Sequence, residues 1–153
     1  MSKQIRSIHS YRCFMILGML AAALASACAG GPEEPYTTES GLTIQVLKRG
    51  RGDRVVSGHT ITAHYTLWLE DGTLIQSSKE EHGGRVQPFS ARIGRGEVIR
   101  GWDEGIIGMR VGETRKLICP PELAYGEDGR PEATPPIPPN ATLTFEIELL
   151  GVR

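Results

Sequence analysis

The sequence has no apolar run long enough to span a membrane, no excess of basic charge and only three cysteines. Its longest apolar stretch, residues 13–27 (CFMILGMLAAALASA), has 15 residues. A spanning helix needs ~20, so this run suits the apolar part of a signal peptide instead. Residues 1–27 carry Lys3, Arg6 and Arg12 and no acid, which leaves 14 basic against 18 acidic residues in the remainder, a net charge of −4. That mildly acidic balance excludes a phosphate-tracking nucleic-acid protein, which needs a basic face. The usual catalytic signatures are also absent. There is no Gly-rich phosphate loop after a strand, no G-x-S-x-G and no H-E-x-x-H. His59, His64 and His82 are scattered. His64 faces away from its neighbour Tyr65 and reads as a surface or satisfied residue. His82 lies beside Glu80 and Glu81, where a solvated charged loop is favoured over a metal site. No internal repeat and no second domain are visible.

The first segment is organised as a leader. A basic stretch, residues 1–12, precedes the apolar run, which closes on Ala25-Ser26-Ala27, small residues of the kind a signal peptidase accepts. Cys28 follows at once. The string Leu24-Ala25-Ser26-Ala27-Cys28 resembles a bacterial lipobox, with Ala25 where that pattern more often has Leu. The expectation is a signal peptide over 1–27, removal of Cys13 with it, and lipidation at Cys28. The alternative is an ordinary secreted protein with an A-x-A site. Cys119 is then the remaining thiol, expected to be buried and inert; a Cys28–Cys119 disulfide is the competing arrangement. Residues 28–40 hold Gly, Pro and Glu with one sizeable apolar residue, Tyr36, and are read as a flexible tether.

From Gly41 onward the pattern has period two. Leu42, Ile44 and Val46 alternate with polar residues, as do Ile61, Ala63, Tyr65 and Leu67. Asp71-Gly72 signals a hairpin turn. Short strands are expected at 73–77 and 89–93, with a polar loop over 79–87. Another strand runs over 113–119 and stops at Pro120-Pro121, since proline cannot feed a sheet ladder. A proline-rich excursion reaches Asn140. Leu143, Phe145, Ile147 and Leu149 then form the clearest strand in the chain. Amid these strands the stretch 98–107 (VIRGWDEGII) has helical spacing. Trp102, Ile106 and Ile107 fall on one face of a helix of two or three turns, Asp103 and Glu104 suit its positive end, Gly108 can end it and Arg110 lies near its negative end. The sum is an α+β fold over residues 41–153: an antiparallel sheet of five to six strands wrapped around one short helix.

The run VIRGWDEGI resembles the core motif of the FK506-binding-protein (FKBP) family of peptidyl-prolyl cis-trans isomerases. His64-Tyr65-Thr66, Ala124-Tyr125-Gly126, Ile137-Pro138-Pro139 and the closing ATLTFEIELL follow the family's motifs in order. The resemblance implies an FKBP-like fold and an isomerase that rotates X-Pro bonds, a reaction needing no nucleophile, metal or cofactor. It implies Trp102 as the pocket floor, with Tyr65 and Phe145 as walls. The Ile99 backbone N–H and the Tyr125 hydroxyl would donate hydrogen bonds to substrate carbonyls. Ile75, Gln76, Val98 and Ile137 would contact substrate. Each aromatic would also be buried in any such fold, so the weight rests on the combination.

Two residues depart from the family's G-x-x-F-D-S-S. Ile75 replaces a phenylalanine wall and Gln76 replaces an aspartate. The loops 79–87 and 131–139 look long, and the latter should overhang the pocket. As a groove-binding proline ligand, 131–139 is the lesser reading. Expected partners are proline-containing polypeptides and FK506-like macrolides, with no nucleic acid, and a membrane held through the Cys28 lipid. The chain is expected to be an exported monomer facing the periplasm or outer membrane. The rival readings are a catalytically weak chaperone or binding module on the same fold, and a structural envelope lipoprotein.

Overall fold

A computed structural model describes residues 32–79 and 86–153. The leader 1–27, Cys28, the first part of the tether and His82 lie outside the described residues. The chain runs β1 (Tyr36–Thr37), β2 (Thr43–Lys48), β3 (Thr60–Leu69), β4 (Leu74–Ser77), β5 (Phe89–Arg92), α1 (Arg100–Gly105), β6 (Thr114–Cys119), a 3-10 turn (Pro121–Leu123) and β7 (Leu143–Val152). All strand pairs are antiparallel. The order across the sheet is β1-β2-β6-β7-β3-β4, and β5 pairs with the far half of β3. The expected class is therefore the observed one, with seven strands among the described residues.

The extra strand is β1. Tyr36 pairs with Ile44 and Thr37 with Thr43, inside the stretch read as tether. Glu33 joins in, through its N–H to the Val46 carbonyl at 2.8 Å and its carboxylate to Arg49 at 2.8 Å. The composition there is polar because β1 is an exposed edge that buries nothing, which period-two analysis cannot detect. A further tie joins Ser40 to the helix: its hydroxyl donates to the Glu104 carboxylate at 2.7 Å.

The alternating residues of β2, β3, β6 and β7 bury one face. Ile61, Ala63, Leu117, Cys119, Leu143, Ile147 and Leu149 are fully enclosed, with Leu42, Val55, Ile93, Ile106 and Met109 completing the core. The helix seats itself on that face through glycines. A Cβ at Gly105 would stand 2.6 Å from a Leu117 methyl, and one at Gly101 would strike the Cys119 sulfur. Positions 101 and 105 are one helical turn apart, and 117 and 119 share one face of β6, so the two periods meet in register.

The helix is shorter than its apolar spacing suggests. It ends at Gly105, with Ile106 as its cap, and Gly108 turns the chain with φ +86°. Ile106 is buried beside Trp102, but Ile107 is 41% exposed and does not share their face. The chain has left the helical path there, so i, i+5 spacing no longer places Ile107. The negative end is served by Arg115 from β6 instead of Arg110. Arg115 Nη1 donates to the Gly105 carbonyl at 2.8 Å, whereas Arg110 donates to the Gly52 carbonyl. The buried Glu113 carboxylate holds the Arg115 Nε at 2.5 Å. At the positive end Asp103 does more than face the dipole. Its two oxygens accept the Gly94 and Gly96 N–H groups at 2.7 and 2.8 Å, pinning the turn that leads into the helix.

Candidate active site

Four aromatic rings converge where α1 meets β3, β5 and β7. Trp102 lies at the centre, 4% exposed. Tyr65, Phe89 and Phe145 surround it at centroid distances of 5.3, 5.6 and 5.6 Å and interplanar angles of 84°, 89° and 79°. Tyr65 also meets Phe89 edge-on at 5.7 Å. These are the edge-to-face geometries that aromatic quadrupoles favour, and each such pair adds about 0.5–1.5 kcal/mol beyond burial.

Strand register makes the arrangement. Leu67 pairs with Phe145 and Tyr65 with Ile147 across β3 and β7, while Ala63 pairs with Phe89 across β3 and β5. Phe145 is enclosed, at 3% exposure, whereas Phe89 is 36% exposed and forms a rim. The cup therefore has a closed base and an open side. Phe89 was not among the sequence-derived site residues. The sequence marks it only as the start of a short strand, preceded by a polar loop; its partner Ala63 is 26 positions earlier, and no local signal encodes that pairing.

The expected polar groups stand near this cup in different states. Ile99 precedes the helix in an extended conformation, and its carbonyl accepts from Trp102 and Asp103 N–H. Its own N–H has no acceptor among the described residues. Tyr125 follows the 3-10 turn. The Gly126 N–H bonds to the Pro121 carbonyl at 2.9 Å, and the Asn140 N–H closes the loop onto Gly126 at 2.8 Å. The Tyr125 hydroxyl accepts from Arg130 Nη1 at 3.3 Å. Burial raises the Tyr65 hydroxyl above its ordinary pKa of 10.0; Tyr125 adds to that and Arg130 opposes it. Tyr65 is therefore a neutral donor throughout the physiological range. The Trp102 indole N–H is buried without a partner among the described residues.

The remaining candidates separate. Ile75 is buried at 8% and Val98 is half-buried, both packed against the core. Ile137 is buried at 3%, and its backbone pairs with Arg130. Gln76 is exposed and makes no hydrogen bond with Tyr65 among the described residues. It faces a groove of about 430 Å³ between β4 and the proline-rich loop, shared with Ile75, Arg130 and Thr134. His64 is satisfied, as its position on the strand implies, through Ser78 at 3.1 Å. Among the described residues no three His, Cys, Asp or Glu side chains converge as metal ligands.

Comparison with known proteins agrees with this fold. A family model for FKBP-type peptidyl-prolyl cis-trans isomerases matches residues 52–150. The isomerase Fkbp12 of Drosophila melanogaster is 48% identical over 115 residues, covering 73% of this chain and 100% of that one. The FK506-binding protein of Neisseria meningitidis serogroup B is 50% identical over 112 residues, covering 73% and 96%. The crystal structure of AtFKBP13 superposes with a TM-score of 0.68 at 40% identity, covering 78% of this chain and 99% of that one.

Proposed function

The chain belongs to the family of FKBP-type peptidyl-prolyl cis-trans isomerases, and we propose that it turns X-Pro bonds in the aromatic cup around Trp102 while working outside the cytoplasm. The observation that carries this reading is the cup itself: a tryptophan floor with three rings edge-on to it and one side open.

The chemistry follows from the amide. Rotation about the C–N bond costs ~18–20 kcal/mol because it breaks resonance. The planar form is charge-separated, so water stabilises it more than the twisted form. Lined by Trp102, Tyr65, Phe89 and Phe145, the cup withholds that solvation and so favours the twisted amide. The proline ring lies on Trp102. The Ile99 N–H and the Tyr125 hydroxyl donate to substrate carbonyls, holding the chain on either side of the turning bond. Val98 and Ile75 close the apolar wall. Gln76 and Ile137 border the path of the flanking residues, Gln76 with its side chain and Ile137 by anchoring the overhanging loop. Mapping backbone and aromatic NMR shifts during titration with a short X-Pro peptide tests this assignment. Shifts centred on Trp102, Phe89 and Tyr65, absent with the matching X-Ala peptide, are expected. Shifts confined to another face would contradict it.

The site of action is read from the leader. Residues 1–27 have a signal peptide's charge and apolar pattern, and Cys28 stands where lipid is attached. Because Glu33 and β1 are tied to β2, only the few residues between Cys28 and Glu33 would separate the domain from a membrane surface. In this setting the substrates are exported polypeptides whose folding waits on proline. Growth with a radioactive fatty acid should label the full-length chain, and Cys28→Ala should remove the label. Label that survives this change, or none in the unaltered chain, rejects the anchor and leaves the isomerase reading in place.

A weaker second reading rests on Gln76. Its exposure leaves the Tyr65 hydroxyl without an acceptor on β4. That suits a slow isomerase which holds proline segments more than it turns them.

A further inference from the structure

Arg130 is fixed at several points, although its side chain lies at the surface. Its N–H donates to the Ile137 carbonyl at 2.8 Å, and its carbonyl accepts the Ile137 N–H at 3.1 Å. Ile137 is buried, so this two-bond bridge pins the neck of the overhanging loop to the core. Beyond the backbone, Nε donates to Glu132 at 2.9 Å and Nη1 to the Tyr125 oxygen at 3.3 Å. The guanidinium carbon lies 5.6 Å from the centre of the Tyr125 ring, within the range of a cation–π contact.

The direction of the bond to Tyr125 is dictated by chemistry. A guanidinium has only donors, so the phenol oxygen must accept and its own proton must point elsewhere. Among the described residues that proton has no acceptor. A cationic donor also polarises the hydroxyl and makes it a better donor in turn. The guanidinium beside the ring meanwhile restricts it.

We propose that Arg130 is a positioning residue for isomerisation: it orients the Tyr125 hydroxyl toward the substrate carbonyl and strengthens that hydroxyl as a donor. It touches no reacting atom and acts through Tyr125. This inference rests on the reading of Tyr125 as a substrate donor.

A double-mutant cycle on kcat/KM for an X-Pro peptide tests the coupling. Arg130→Ala should lower kcat/KM by roughly 3- to 10-fold, with Tyr125→Phe lowering it by a similar factor. Added to Tyr125→Phe, Arg130→Ala should then cost less than about twofold, because the hydroxyl it serves is gone. Arg130→Lys should fall between wild type and Arg130→Ala, since it keeps the charge but loses the planar fork. An Arg130→Ala effect within twofold of wild type, or an equal loss with and without the Tyr125 hydroxyl, overturns the proposal. The 13C shift of Tyr125 Cζ is a second readout that needs no turnover. It should move in Arg130→Ala while the amide shifts of Gly126 and Asn140 stay in place. An unmoved Cζ overturns the proposal. If the unaltered protein turns over no peptide, the site reading fails separately, and the Cζ shift still decides whether Arg130 holds the hydroxyl.

Discussion

Gly101 and Cys119 meet where the helix lies on the sheet, so closely that a methyl group on Gly101 would overlap the Cys119 sulfur and stand 3.2 Å from its Cβ. The glycine is there for lack of space; its φ is not positive. Adding a methyl overpacks the contact at about 1–3 kcal/mol, against up to ~1 kcal/mol gained in helix propensity. Gly101→Ala should therefore lose about 1–2 kcal/mol in urea unfolding. Combined with Cys119→Ala, which vacates the space, the pair should cost less than the sum of the single changes. Strict additivity would mean that the contact does not limit the helix's approach.

Burial controls the Cys119 thiol as well. It raises the thiol from the ordinary 9.0 to about 12, and Glu104 adds to the rise. The folded protein thus keeps a proton that the unfolded chain releases from about pH 9. Stability from this group is fully present below pH 9 and should fall as pH rises from about 9 toward 12. The same burial predicts that a thiol reagent at pH 8 leaves the Cys119 peptide unmodified in the native protein and modifies it in urea, as peptide mass mapping can read. Rapid native labelling would contradict this.

Asp103 ties the turn before the helix to the helix itself. With both oxygens on backbone N–H groups, Asp103→Ala strands two donors and should cost about 1–3 kcal/mol. Val98 and Ile99 lie between that turn and the helix, so the peptide's KM should rise more than kcat falls. Asp103→Asn, which can still accept one bond, should lie between. A variant as stable as wild type would show that the turn is held by other contacts.

Most of the fold is legible in the sequence because its strands bury one face and therefore alternate. Leu143, Phe145, Ile147 and Leu149 illustrate this, and all four are buried as their spacing indicates. Tyr36 and Thr37 escape it because an edge strand can pair through its backbone while its side chains remain in water. Ile107 misleads because spacing carries no record of where a helix stops. At the site, Tyr65, Trp102 and Phe145 are legible from motifs, and the structure gathers all three. Phe89 and Arg130 are not, since each owes its place to a long-range register or a loop closure. Gln76 is exposed by the plain alternation of β4, in which its neighbours Ile75 and Ser77 point inward.

Phe89 gives a direct test of the rim. At 36% exposure it contributes less to the core than the enclosed Phe145. Phe89→Ala should therefore cost about 1 kcal/mol or less of stability, against ~3–5 kcal/mol for Phe145→Ala, while still lowering kcat/KM severalfold. Unchanged kinetics in Phe89→Ala would place the substrate elsewhere.

The two departures on β4 predict a gain. Gln76→Asp puts a carboxylate on the groove that Arg130 also lines, and Ile75→Phe extends the aromatic wall. Together they should raise kcat/KM and macrolide affinity by severalfold at neutral pH. A fall in both would mean that the groove shared with Arg130 requires the native pair.

The most direct measurement is isomerisation of a short X-Pro peptide by the purified protein, with and without FK506. The account predicts fast turnover that the macrolide abolishes by competing for the cup around Trp102. A folded protein that turns over no peptide, or one whose turnover the macrolide leaves untouched while Trp102→Ala also has no effect, would contradict it.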